Sequence, residues 1–116
     1  MNVEMVRDFC LLKPGVEETF PFDQNTLVFK VFGKMFALLD VDDFTGLNLK
    51  CDPERAIELR ESYAGIIPGF HMNKKHWNTV HINSDVDSNL IFELIDHSYN
   101  IVFSSLPKKI RDGIQI

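Results

Sequence analysis

The stretch LVFKVFGKMFALL, residues 27–39, decides the fold of this chain. Two runs rich in β-branched and aromatic residues flank Gly33-Lys34, and a glycine at the first position of a two-residue loop favours a type II′ turn. The stretch therefore predicts a β-hairpin in which Val31 pairs with Phe36.

The predicted register divides the hairpin into two faces. One carries Phe29, Val31, Phe36 and Leu38, and the other carries Lys30, Phe32, Met35 and Ala37. Leu39 is assigned to the second face, and that face is also rather apolar, although a sheet with helices on one side usually turns polar residues to the other. Either the loop that contains Phe70 and Trp77 covers it within the monomer, or it forms a patch for a partner such as a second copy.

Upstream of the hairpin, Asn2 can cap a first helix that Lys13-Pro14-Gly15 ends. Residues 16–24 are predicted to be an irregular connector. Downstream, the alternation of Leu47, Leu49 and Cys51 with polar residues indicates a half-buried third strand.

The second half of the chain continues with a helix that begins at Asp52-Pro53, a loop over residues 66–75 and a fourth strand over residues 77–82. The longest predicted helix has an apolar stripe of Ile91, Leu94, Ile95, Ser98 and Val102. A short basic helix over residues 108–113 follows Leu106-Pro107. The order αβββαβαα predicts a two-layer α+β fold, with an antiparallel sheet of about four strands and helices on one face.

Composition favours one soluble globular domain over residues 1–116, with 45% hydrophobic and 25% charged residues. The beginning of the sequence does not resemble a signal peptide, and no run approaches the roughly 20 apolar residues of a membrane helix. We therefore expect a cytoplasmic protein without membrane contact. Cys10 and Cys51 lie in apolar patterns and are expected to be buried reduced thiols.

Charge gives two opposing indications about the partner. The formal net charge of −5 argues against phosphate-rich partners. Residues 62–84, however, contain no Asp or Glu, and they hold Lys74, Lys75 and three of the four histidines. This stretch predicts a locally positive face.

Metal and catalytic motifs give no strong signal. His71, His76 and His81 recur every five residues, but positions five apart on a strand face opposite sides, so we expect no metal site. No nucleophile elbow, HExxH motif or glycine-rich phosphate loop occurs. The sequence predicts neither an enzyme nor a cofactor.

The four stretches KPGVEETFPF, TLVFKVFGKMFALL, LNLKCDPE and PGFHMNKKHWNTV occur in this order. Together they resemble the MmcQ/YjbR family of small bacterial proteins, from about Met1 to Gly113. The resemblance implies a CyaY-like (frataxin-like) fold, also described as a double-wing motif, and a DNA-binding role that rests on analogy of fold. Frataxin-style iron binding would need an acidic first helix, which here offers only Glu4 and Asp8. The positions that the family shares most distinctively are Pro14, Gly15, Phe20, Pro21, Phe22, Lys30, Lys50, His71, Asn73, Lys74, His76 and Trp77.

Two functional hypotheses follow. The first is a DNA-binding module without catalytic activity, whose basic contacts are Lys74 and Lys75 together with Lys50, Lys108, Lys109 and Arg111. The second is a small-ligand or protein-interaction domain, monomeric or homodimeric, in which His71, Asn73, His76 and Trp77 line a pocket for an anionic metabolite or peptide. Trp77 can also be a lid over the second face of the sheet, which is the simpler role.

Overall fold

The structure, a computed structural model, describes residues 1–113. Its elements, in chain order, are α1 (Val3–Leu11), β1 (Val16–Thr19), β2 (Thr26–Val31), β3 (Lys34–Asp40), β4 (Gly46–Lys50), α2 (Pro53–Ser62), β5 (Ile66–Pro68), β6 (Trp77–His81), α3 (Ser88–Ser104) and α4 (Lys108–Gly113). Each predicted helix is present, and each predicted strand begins and ends within a few residues of its expected limits. None of the helices in residues 1–113 is both long and apolar enough to cross a membrane.

The strands form one antiparallel sheet in the order β1-β2-β3-β4-β6-β5, with the helices packed against one face. This confirms the two-layer α+β class, but the sheet has six strands where about four were expected. The two additional strands are short edge strands within the predicted connector and loop. They form because Val16 pairs with Val31 and Ile66 pairs with Val80. Such partners are distant in sequence, and Pro68 at the end of β5 is tolerated because an edge strand has a free side.

The hairpin turn lies one residue earlier than the sequence predicts. Phe32 and Gly33 form the two-residue loop, and Val31 pairs with Lys34. Both loop residues have positive φ, +47° and +79°, as a type I′ turn requires. Phe32 accepts this conformation while its ring lies over Gly15, where an added Cβ would be 2.5 Å from a ring carbon.

A β-bulge reverses the facing of β3 from Ala37 onward. The register shifts between Phe29 and Lys30, so that Phe36 is the extra residue and Ala37 lies opposite Phe29. Phe29, Val31 and Phe36 all face the helices, as predicted. Three predicted facings are wrong: Leu38 lies on the other face, and Ala37 and Leu39 belong to the helix-covered core.

The main core lies between the sheet and α3. The predicted stripe of α3 is buried, and Tyr99 adds an edge-on ring contact to Phe36 at 5.4 Å between centroids. Ser98 is fully buried, where its hydroxyl donates to the carbonyl of Phe36 and accepts the amide of Lys50 at 2.9 Å. Because its polar group is satisfied, Ser98 ties α3 to the centre of the sheet without leaving an unpaired group.

Lys13 and Pro14 connect α1 to α3. The ammonium of Lys13 pairs with the carboxylate of Asp96 and lies 4.6 Å from the centre of the Phe9 ring. The carbonyl of Pro14 accepts the hydroxyl of Tyr99 at 2.6 Å. These contacts give the KPG motif a structural role in holding the first helix against the third.

Candidate functional site

Arg60 on α2 holds the segment 69–77 in place. Its Nε donates to Oδ1 of Asn78 at 2.6 Å, and its Nη2 donates to the carbonyls of Lys74 and Trp77. Asn78 is buried and also reaches the carbonyl of Ala56 through Nδ2. A charged donor that satisfies several carbonyls makes this loop part of the scaffold.

Trp77 is a lid over the second face of the sheet. Its side chain is 7% exposed and packs with Val28 and Leu38 on the face of the sheet opposite the helices, which confirms the simpler prediction. Gly69 allows this packing, because a Cβ there would lie 2.8 Å from Cβ of Trp77. We call this side of the sheet the open face; it carries the row Val28, Leu38, Asn48 and Thr79, which are successive partners across the strands.

The other polar residues of the segment 69–77 differ in their hydrogen bonds and their exposure. The ammonium of Lys74 donates to the carbonyl of Gly69 at 3.0 Å, so it is engaged inside the loop. Asn73 accepts the amide of Lys75 at 3.0 Å, and the carbonyl of His76 accepts the amide of Cys51 at 2.8 Å. Lys75 is exposed. Lys74 is exposed as well, so the two predicted lysine contacts differ in that the ammonium of Lys74 is already hydrogen-bonded within the loop.

The remaining predicted cations lie on different elements. Lys50 ends β4 opposite Trp77 on the open face. Lys108 and Lys109 are exposed on α4, which packs on the helical side through Ile110. Nε of Arg111 is buried and has no hydrogen-bond partner within residues 1–113.

Charge is segregated along the strand direction. The segments 12–15, 31–34, 50–53, 69–77 and 104–109 meet at one end of the molecule, because antiparallel pairing places the start of β3 and β6 beside the end of β2 and β4. Lys34 also reaches Oγ of Ser105 at 3.5 Å, which brings the end of α3 to the same place. We call this the basic end; the charged residues of these five segments are Lys13, Lys34, Lys50, Lys74, Lys75, Lys108, Lys109 and Asp52, and Lys13 also pairs with Asp96 of α3.

The opposite end is acidic. The segments 20–26, 40–46, 62–65 and 82–87 contain no Lys or Arg, and they carry Asp23, Asp40, Asp42, Asp43, Asp85 and Asp87. Several of these carboxylates accept backbone amides: Asp85 accepts those of Ala64 and Gly65, each at 2.8 Å, which lowers the pKa of Asp85. The segments at the two ends of the sheet therefore carry formal charges of opposite sign.

A cleft of about 500 Å³ opens on the open face. Its lining residues are Phe22, Thr26, Met35, Leu38, Leu39, Asp40, Asp43, Thr45, Gly46, Asn48, Phe70, His71, Met72 and Thr79. Of the pocket predicted from His71, Asn73, His76 and Trp77, only His71 borders this cleft. Asn48 and Thr79 were missed because only the pairing of β4 with β6 brings them together.

The described residues give no sign of metal or thiol chemistry. Within residues 1–113 no three His, Cys, Asp or Glu side chains are grouped as metal ligands. Cys10 and Cys51 are buried free thiols, and burial raises the pKa of Cys10 to about 12 and that of Cys51 to about 11. Neither thiol is ionised at neutral pH, so neither is an activated nucleophile.

The YjbR family model matches residues 11–101. The chain belongs to the YjbR family. It is 36% identical over 107 residues to Escherichia coli O157:H7 YbdF, covering 91% of this chain and 88% of that protein. It is 31% identical to YjbR of Escherichia coli strain K12, covering 96% and 95%. Both relatives are described as uncharacterized, so membership brings no activity with it.

Solved structures agree with the fold. The crystal structure of Deinococcus radiodurans protein DR2400, with domain DUF419, is similar at a TM-score of 0.91 and 43% identity, covering 97% of this chain and 86% of that one. A crystal structure of a Pseudomonas syringae protein gives 0.75 and 29% identity, covering 88% and 99%. The fold of this chain is thus similar to the folds of both proteins.

Proposed function

We propose that this protein is a non-enzymatic DNA-binding module that contacts the phosphate backbone with its basic end. The observation that carries the proposal is the segregation of charge. The formal net charge of −5 includes six aspartates at the far end of the sheet, so it does not describe the surface that a polyanion would meet. A molecule with two oppositely charged ends can approach DNA with its positive end first.

Exposure, hydrogen bonds and ion pairs reduce the number of lysines that are available to contact phosphates. Lys34, Lys75, Lys108 and Lys109 are exposed. Lys74 is exposed too, but its ammonium donates to a carbonyl, and Lys13 pairs with Asp96. The first four are therefore the cations best placed to replace phosphate counterions. Trp77 is too buried to stack on a base, so recognition would rest on backbone contacts.

The test is fluorescence anisotropy of a labelled DNA duplex over a range of salt concentrations. We expect measurable binding at low salt that weakens as salt rises. The double variant Lys75→Gln/Lys109→Gln should reduce the slope of log affinity against log salt by about two, because each lost phosphate contact removes about one counterion.

The matched control is Gln24→Glu/Asn89→Glu, which lowers the net charge by the same two units at exposed positions away from the basic end. It should retain the wild-type slope. Equal losses in both variants would show that only net charge matters, and absence of binding to DNA at low salt would refute the proposal.

A further inference from the structure

The open-face cleft has the size and shape of a small-molecule site. Its volume of about 500 Å³ falls within the range of ligand pockets, roughly 300–1,000 Å³. Apolar side chains from three separate segments form its walls, among them Phe22, Met35, Leu38, Phe70 and Met72. Phe22 is 64% and Phe70 is 65% exposed. Two aromatic rings beside one cleft offer apolar surface that a ligand would remove from water.

The loop at the cleft is fixed before any ligand arrives. The amide of Phe70 donates to Oγ1 of Thr79 at 3.0 Å, and the carbonyl of Phe70 accepts Nδ2 of Asn48 at 3.5 Å. Thr79 in turn donates to Oδ1 of Asn48. His71 adopts a φ of +58°, and its ring contacts that of Phe70 at 4.0 Å between centroids. A non-glycine residue held at positive φ is a strained feature that the surrounding contacts maintain.

The charge around the cleft selects the ligand class. Asp40 and Asp43 border it, and no Lys or Arg does. Oδ1 of Asp40 accepts the amides of Asp42 and Asp43, at 2.9 and 3.0 Å, which fixes the turn that carries both carboxylates. Within residues 1–113 no cation pairs with Asp40 or Asp43. A negative rim beside apolar walls disfavours the anionic metabolite expected from sequence and favours a cation.

We propose that the open-face cleft binds a small amine with an aromatic or other flat apolar body. The body contacts Phe22, Phe70 and Leu38, and the ammonium group lies at Asp40 and Asp43. Charge complementarity supports this occupant over a peptide or a second copy of the chain. The proposal concerns the acidic half of the molecule, so it stands or falls independently of DNA binding at the basic end.

The test uses three probes of one shape: phenethylamine, 2-phenylethanol and phenylacetate. Each is titrated into the full chain while ¹H–¹⁵N spectra are recorded. We expect the amine to shift the amide resonances of Gly46, Phe70 and Thr79 and to bind about tenfold more tightly than the alcohol, because a charge-assisted contact is stronger than a neutral one. Phenylacetate should bind more weakly than the alcohol.

Two variants distinguish the effect of a carboxylate at the cleft from the effect of overall charge. Asp43→Asn removes one carboxylate at the cleft with little change in shape, and the affinity for the amine should fall toward that for the alcohol. Asp42→Asn removes the neighbouring exposed carboxylate, which does not border the cleft, and should leave the affinity unchanged. Equal affinities for the three probes, equal effects of the two variants, or no shifts at millimolar probe would each overturn the proposal. Concentration-dependent shifts of the same resonances without a probe would also overturn it, because they would assign the face to a second copy.

Discussion

The two faces of the sheet differ in how completely their apolar side chains are buried. On the helix-covered face, Phe29, Val31 and Phe36 are completely buried and the core is continuous across the strands. On the open face, the buried cluster consists of Val28, Leu38 and Trp77, next to a cleft with two exposed aromatic rings. One face therefore supplies most of the hydrophobic stability, while the other has apolar surface that does not contribute to folding. Such a division is typical of a scaffold that carries a binding surface.

The prediction with the largest expected effect concerns the removal of one phenylalanine from each face. Phe36→Ala deletes a fully buried ring that contacts Phe29 and Tyr99, and we expect it to lower the free energy of unfolding by about 4 kcal/mol. Phe70→Ala removes a ring that is 65% exposed and should change stability by about 0.5 kcal/mol or less. Urea denaturation measures both values. Similar losses for the two variants would contradict the division of roles.

The second prediction concerns Arg60, which connects α2 on the helix-covered face to the segment 69–77 that carries Trp77. Arg60→Met keeps much of the side-chain length but leaves the buried Oδ1 of Asn78 and the carbonyls of Lys74 and Trp77 without their charged donor. We expect a loss of about 2 kcal/mol in unfolding free energy. Iodide should also quench Trp77, the only tryptophan, more strongly than in the wild type, because the lid segment is no longer held against α2.

Arg60→Lys is the matched control for charge. A lysine keeps the positive charge but cannot donate to several acceptors in a fixed geometry, so it should give an intermediate loss. If lysine restored full stability and low quenching, charge alone would explain the role of Arg60.

The helix-covered face was the part of the fold that the sequence predicted best. The α3 stripe from Ile91 to Val102 and the inward residues Phe29, Val31 and Phe36 follow from periodicity, which is a local property. The bulge at Phe36 was not predictable in this way. Moving the turn by one residue changes each cross-strand partner by two positions and keeps the predicted facing. The bulge reverses the facing of every later residue of β3, so Ala37, Leu38 and Leu39 lie on the faces opposite to those predicted.

The candidate site was harder to predict because it depends on contacts between distant segments. Sequence proximity grouped His71, Asn73, His76 and Trp77. In the fold, however, the chain turns between Asn73 and His76 and Trp77 is buried on the open face, so these residues have different surroundings. The cleft instead combines Asp43 with residues of β4, β6 and the loop around Phe70. The charge distribution was also only partly predictable. The sequence shows that residues 62–84 contain no acid, but only the strand order shows that Lys34, Lys50 and Lys75 lie at one end of the sheet.

The smallest expected effect concerns His97, a half-buried residue on the helix-covered side. Its Nε2 accepts the amide of Asp52 at 3.2 Å, and this contact requires the nitrogen to be unprotonated. Burial and then the nearby charge of Arg55 lower the pKa of His97. In the unfolded chain, with a pKa of about 6.5, the ring takes up a proton first, so stability present above about pH 6.5 is lost as pH falls toward the lower folded pKa.

His97→Gln should remove this pH dependence, because glutamine can accept the same amide but does not titrate. We expect the wild type to lose about a few tenths of a kcal/mol more stability than the variant between pH 7.5 and 5.5, since solvent screens a half-buried group. The lowered pKa values of Asp23 and Asp85 affect stability only below about pH 5, where carboxylates of the unfolded chain begin to titrate, so they have little effect between pH 7.5 and 5.5. Equal pH slopes for the two proteins would mean that the acids near His97, namely Asp52, Glu93 and Asp96, compensate for its protonation, and that the pH response of the covered face has another source.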